Sequence, residues 1–257
     1  MKKSTLSLPA QQLITKYLNI SVGQHTIATP YFNNKKMKVR GGLRVNIGKG
    51  DPQEIEDEII LMALRKKTDL SLLSKKEVIT FVTNLNIGIE CSGFVYHVMN
   101  EEMKAHKRPP LKKTMHYPIK NPIRRLIASF RPAENTNVAT LNHDKNTKEI
   151  ALKNVQAGDL ILLMHTGKNH DLNHVLLIES VEYHKNIPKK IYYVHSLQWS
   201  TDGIHHGVRR GTIDIKNIKD PLEKQDWTER EKTTSPDNET LWRVETAKSV
   251  KIGRLNK

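Results

Sequence analysis

The chain has 257 residues, a formal net charge of +15, 37% hydrophobic residues, 5% aromatic residues and one cysteine. That length suffices for one sizeable core, and no stretch approaches the roughly 20 apolar residues needed to cross a bilayer. The lone cysteine excludes an intrachain disulfide, and so few aromatic rings leave little material for stacking nucleic-acid bases.

The amino end, Met1-Lys2-Lys3 followed by a Ser, Thr and Pro-containing run, lacks the unbroken apolar segment of a secretory signal. The expected location is therefore cytoplasmic, or external after release without a signal peptide. Basic residues gather at 35–40, 104–125, 185–190 and in the tail. Such runs read as solvated loops and flanks; their other reading is a surface for an anionic polymer.

Residues 7–20 predict a first helix, with Ser7 as cap and Leu13, Ile14, Tyr17 and Leu18 on one face. Residues 25–46 are punctuated by Pro30, Asn33-Asn34 and Gly41-Gly42, and predict short extended pieces. Asp51-Pro52 with Glu54, and Ser74 with Glu77, each spell a capping box, so helices are expected over 52–67 and 75–85, forming an inserted helical hairpin across residues 51–86. Gly88 breaks that pattern. Phe94, Val95, Val98 and Met99 then mark the apolar face of another helix, with Cys91 on its first turn.

Residues 105–149 are basic and carry five prolines between Pro109 and Pro132, predicting a mobile or substrate-facing irregular insertion with a short helix at 123–130. His116 and His143 within it read as surface residues. From Ile150 the pattern turns to strands, expected at 159–164, 174–181, 191–199, 207–215 and 241–246. The strand holding His195 has apolar residues of both parities, which predicts cover on both of its faces. Residues 216–239 read as a charged surface excursion, and the tail 248–257 as frayed.

A helix's first turn favours thiolate over thiol, so Cys91 reads as a nucleophile, whereas a structural cysteine belongs mid-face. Downstream, His174 opens one predicted strand and His195 lies in another, a pattern of nucleophile, base and orienter. A metal site is the rival, because His165, His170, His174, His195, His205 and His206 crowd one half of the chain. It leaves the surroundings of Cys91 unexplained, and His170 and His174 span a loop-to-strand boundary where their spacing forms no common helical face. A binding module for nucleic acid or another anionic polymer is the third class.

Four segments carry a resemblance: Glu90-Cys91-Ser92-Gly93-Phe94-Val95, Ala157-Gly158-Asp159-Leu160-Ile161, His174-Val175 and Val194-His195-Ser196. In that order they resemble the NlpC-type papain-like cysteine peptidases and amidases of bacterial cell walls, with Glu90 where the family has Asp and Ala157 where it has Pro. Thr29-Pro30-Tyr31 followed by Gly41-Gly42 is similar, at displaced spacing, to a further family segment.

The resemblance implies one α+β domain over 1–257, with helices packed on a central antiparallel sheet of about five strands. It implies a cofactor-free and metal-free thiol hydrolase of amide or isopeptide bonds, with Cys91, His174 and His195 catalytic. Tyr31 and Ser92 are expected at the oxyanion or substrate, and a peptide or peptidoglycan stem-peptide fragment is the expected substrate. A catalytically inactive papain-like module that binds an anionic polymer is the alternative.

Overall fold

A computed structural model describes residues 2–34 and 42–256. The Lys35–Arg40 basic cluster, Gly41 and Lys257 named above lie outside the described residues.

Helices form at Leu8–Leu18 (α1), Pro52–Arg65 (α2), Lys75–Asn84 (α3), Cys91–Ala105 (α4), Leu111–Thr114 (α5), Pro122–Phe130 (α6), Pro132–Asn135 (α7), Val138–Asn142 (α8) and Glu239–Glu245 (α9). Strands form at Lys2–Thr5 (β1), Ile20–Val22 (β2), His25–Ile27 (β3), Thr147–Glu149 (β4), Leu160–Thr166 (β5), Leu172–His184 (β6), Ile187–Leu197 (β7), Gly207–Asp214 (β8), Asp226–Thr228 (β9) and Ser249–Leu255 (β10). The chain is thus α+β, built on one large antiparallel sheet. Its order is β4-β10-β5-β6-β7-β8-β9, with β1 paired to residues 180–183 of β6, and β2 and β3 make a separate hairpin.

Eight strands stand where about five were expected. Four of the five predicted strands form, and four further strands complete the sheet. Residues 241–246 instead lie mostly in α9, because Asn238 accepts from the backbone N–H groups of Thr240 and Leu241 and starts a helix. Leu241 and Val244 then fall three apart on one buried face, a helical spacing. The tail also departs from the frayed reading. β10 inserts between β4 and β5, and the Arg254 guanidinium grips the Asp159 carboxylate through bonds of 2.7 and 2.9 Å.

The sheet is covered on both sides, as the two-residue period of its strands requires. Leu160, Leu162, Val175, Leu177 and Val194 join the helical core with α1 and α4. Ile161, Leu163, Leu176, Ile178, Tyr193 and Ile252 join a second core closed by Trp227, Leu241 and Val244. α4 is the helix the layers meet on: every residue from Cys91 to Met99 is buried, and its Phe94 ring meets Tyr17 of α1 edge-on at 5.3 Å.

Both capping boxes of the helical hairpin form. The 105–149 segment is more ordered than an irregular loop: it folds into α5 to α8 and β4 and buries Leu111, Ala128, Ala133, Val138 and Leu141. Because β10 is buried between two strands, truncating Ile252 to alanine is expected to cost about 2–4 kcal/mol in urea unfolding, as for other buried aliphatic side chains. An unchanged midpoint would return the tail to the frayed state.

Candidate active site

α4 begins at Cys91 without a side-chain cap from Glu90. Its first turn is instead seated by backbone contacts. The Glu90 N–H donates to Gly48 O at 3.0 Å, the Ile89 N–H to Pro30 O at 2.9 Å, and Ser196 Oγ to Ile89 O at 2.8 Å. Gly93 is needed here because a Cβ would stand 2.7 Å from the Gly48 carbonyl oxygen. The Cys-Ser-Gly run thus lets the helix start close against the loop below it.

Lys49 is the polar anchor of that loop and is missed by sequence reading. Its buried ammonium lies 2.5 Å from Glu90 Oε1, 2.8 Å from Ser92 Oγ and 2.6 Å from Thr136 O. Ser92 in turn donates to Glu90 at 2.5 Å. The Ser92 hydroxyl is therefore spent on holding Lys49 and Glu90 together. Its backbone N–H, with that of Val175, reaches the Cys91 sulfur.

Cys91, Tyr31, Ser92, Asn137, His174 and Arg243 line one cavity of about 450 Å³. At Tyr31, Leu172, Leu197 and Arg243 it adjoins a larger groove of about 1060 Å³, walled on one side by Thr83, Asn86 and Ile87 beyond and within the helical hairpin, and on the other by Trp242 of α9. The hairpin therefore forms a wall of the groove.

His174 and His195 pair: His174 Nε2 stands 2.7 Å from His195 Nδ1. The pairing continues. His195 Nε2 stands 2.9 Å from Glu229 Oε2, which also accepts from Tyr193 Oη at 2.9 Å and Thr240 Oγ1 at 2.8 Å. Arg209 Nη1 lies 3.6 Å from the other oxygen, Glu229 Oε1. Glu229 sits just after β9, within the stretch read as a surface excursion, yet it is fully buried, as is Trp227 beside it. No local pattern marks it, because its burial depends on β9 pairing with β8.

Titration directions are consistent along this line. Burial alone raises the Glu229 carboxyl, but His195, Arg209 and the Thr240 hydroxyl outweigh it and hold the group below the usual carboxylate range. Burial lowers both imidazoles, His174 far below its ordinary value and His195 less so because Glu229 opposes the shift. Glu229 is thus an anion that only accepts, and His195 must present Nε2–H to it. His195 Nδ1 is then a bare acceptor, so His174 must present Nε2–H in turn. His174 Nδ1 is left as a free lone pair.

The helix-start expectation of a ready thiolate is reversed. Burial pushes the Cys91 thiol up to about 11, and the Glu90 carboxylate adds to the rise despite Lys49 and two backbone N–H groups that oppose it. The resting pair is thiol and neutral imidazole. Tyr31 is likewise pushed well above its ordinary value by burial and by Cys91. Its oxygen accepts from Asn33 Nδ2 at 3.1 Å, which leaves its own O–H to donate.

The other histidines do not converge. Among the described residues no group of three His, Cys, Asp or Glu side chains is placed to hold a metal ion. His170 Nδ1 bonds the His165 carbonyl oxygen, and His206 Nδ1 accepts from the Tyr31 backbone N–H. His116 and His143 stack loosely against each other, 5.0 Å between ring centres. No family model, curated protein or solved structure matches this chain.

A thiol raised in this way has little thiolate at neutral pH, and the fraction grows until the pH passes its own value. Alkylation of Cys91 by iodoacetamide should therefore still accelerate above the ~8.5 of an ordinary thiol. Glu90→Gln removes a charge that raises the group, so the same curve should move to lower pH. A rate already level near neutrality would mean that the helix start outweighs burial.

Proposed function

We propose that the chain is a cysteine hydrolase of the papain-like, NlpC type, cleaving an amide or isopeptide bond with Cys91 as nucleophile and His174 as base. The observation that carries this reading is the line from Glu229 through His195 to His174, which leaves one bare imidazole nitrogen in the cavity that Cys91 lines.

In the reaction, Cys91 Sγ attacks the carbonyl carbon while its proton passes to His174 Nδ1 and the carbonyl π pair moves onto oxygen. The resulting imidazolium is stabilised through His195 by the Glu229 charge. The donors for the oxyanion are the Cys91 backbone N–H at the start of α4 and the Tyr31 hydroxyl, which lines the same cavity. Collapse breaks the C–N bond, and the departing amine takes the proton from His174. Water then gives a proton to His174 and attacks the thioester, releasing the acid and returning the proton to sulfur. Cys91, His174 and Tyr31 touch the reacting atoms; His195 and Glu229 position them.

Arg243 favours a carboxylate-bearing acyl donor. Its Nε is buried without a hydrogen-bond partner, and the side chain borders both the Cys91 cavity and the larger groove. A peptidoglycan stem peptide, cut near its D-glutamyl residue, is a substrate of that kind. The test is digestion of purified muropeptides read by mass spectrometry, with Cys91→Ala as control. Cleavage that disappears in the control supports the reading. Muropeptides, other amides and thioesters all bound yet left intact would make the chain a binding module.

The positions should fail differently in kcat/KM on one cleaved substrate. His174→Ala is expected to lose roughly 10²- to 10⁴-fold, the usual worth of a general base. His195→Gln, which still offers both a donor and an acceptor, should lose less than His195→Ala. Glu229→Gln should approach the loss at His174, because an amide can also donate to His195 and thereby allow the wrong tautomer along the whole line. Arg243→Gln should raise KM for a carboxylate substrate while kcat changes little. Equal losses for His174→Ala and His195→Gln would contradict the assigned roles.

A further inference from the structure

α6 shows more large apolar side chains to solvent than any other helix, four against the three of α2. Its Ile123, Leu126, Ile127 and Phe130 side chains are 69%, 59%, 53% and 77% exposed, although together they amount to a complete apolar stripe at i, i+3, i+4 and i+7. At about 100° per residue the four share an arc of roughly 100°, and Ala128, the helix's one buried residue, lies nearly opposite. The helix is therefore fastened by its small residue and turns its large ones away from the protein.

Charge decides what covers the stripe. Residues 104–131 contain nine lysines and arginines and no aspartate or glutamate. Arg124 borders one edge of the stripe and Arg125 lies on the side away from it, and these with Lys112, Lys113 and Lys120 are exposed. Among the described residues no helix is long and apolar enough to cross a membrane, so a nine-residue element of this kind has only a surface role at a bilayer. Large apolar side chains beside long cationic ones are what a helix lying in the headgroup region of an anionic membrane requires, the chains entering the acyl boundary and the guanidinium groups meeting phosphates. Another copy of this chain is a poor occupant, because its matching segment carries the same unbalanced positive charge.

We propose that α6, with the basic segment around it, is an interfacial anchor that docks this protein on anionic phospholipid. The anchor is independent of the chemistry at Cys91. It confines the protein to a lipid surface while the catalytic cavity keeps its own geometry.

The experiment is co-sedimentation of the whole chain with phosphatidylcholine vesicles and with vesicles of equal parts phosphatidylcholine and phosphatidylglycerol. Binding is expected to the mixed vesicles, weakening as salt rises. Leu126→Ser with Phe130→Ser should reduce partitioning on the order of 100-fold, each lost apolar side chain being worth at least about a factor of ten. Arg124→Gln with Arg125→Gln should reduce it roughly 30-fold at low salt and lose most of the salt dependence of those two charges. As a control, Leu64→Ser with Leu72→Ser removes two equally exposed leucines from the helical hairpin and should leave partitioning unchanged. Unchanged thermal melting and Cys91 alkylation show that each variant is folded.

Failure of the parent chain to bind mixed vesicles, or equal binding by the Leu126 and Phe130 variant, would overturn the proposal. So would sedimentation showing that the stripe holds two copies together in the absence of lipid, which would reassign the face to self-association.

Discussion

The buried Glu229 carboxylate is the constraint on which the site depends. A carboxylate in that position can only accept hydrogen bonds, and from this one fact the proton positions on two imidazoles follow in sequence, ending with a bare nitrogen on His174. An isolated buried anion would be costly, so the protein surrounds it with Tyr193, Thr240, His195 and Arg209. The supports come from the neighbouring strands β7 and β8 and from α9, which follows about 25 residues later in the chain. Assembling the Glu229–His195–His174 line is thus a consequence of assembling the second core.

Cys91, the proposed nucleophile, is positioned by the opposite layer. Cys91 belongs to the helical core, and its seat is fixed by the Gly48 and Pro30 carbonyls and by the Lys49, Glu90 and Ser92 cluster. Two independently built halves meet at the start of β6, where His174 lines the same cavity as Cys91 and the Val175 backbone N–H reaches the sulfur. Dryness has a chemical consequence. It disfavours the thiolate and the imidazolium together, so on the proposed mechanism charge appears in this cavity mainly at the moment of reaction, where Tyr31 is the fixed donor in a low dielectric.

Outside the site, the same accounting of burial and charge separates two kinds of basic surface. Lysines scattered over loops are solvated and need no partner, and the net charge alone names none. α6 differs because charge accompanies four large apolar side chains that the fold leaves uncovered. The stripe itself lines no part of the Cys91 cavity, although the same 105–149 segment supplies Asn137 to that cavity and the Thr136 carbonyl to Lys49.

What the sequence by itself determined was whatever is encoded within a few residues. The two capping boxes, the Cys91 helix start and the apolar runs of β5 to β8 are local patterns, and all of them appear in the structure at or near their expected places. Tertiary structure alone decided the rest. Glu229 stands in a charged, polar stretch and becomes buried only because β9 joins β8, 34 residues beyond the histidine it orients. Lys49 becomes a buried cation only when Glu90 and Thr136 close on it. The tail becomes a strand because β4 and β5 leave a vacant row of backbone partners between them. The α9 segment becomes a helix through its Asn238 cap and its place over the second core. Even the state of Cys91 followed this division: the helix start that favours a thiolate is local, whereas the burial that outweighs it belongs to the packed layers.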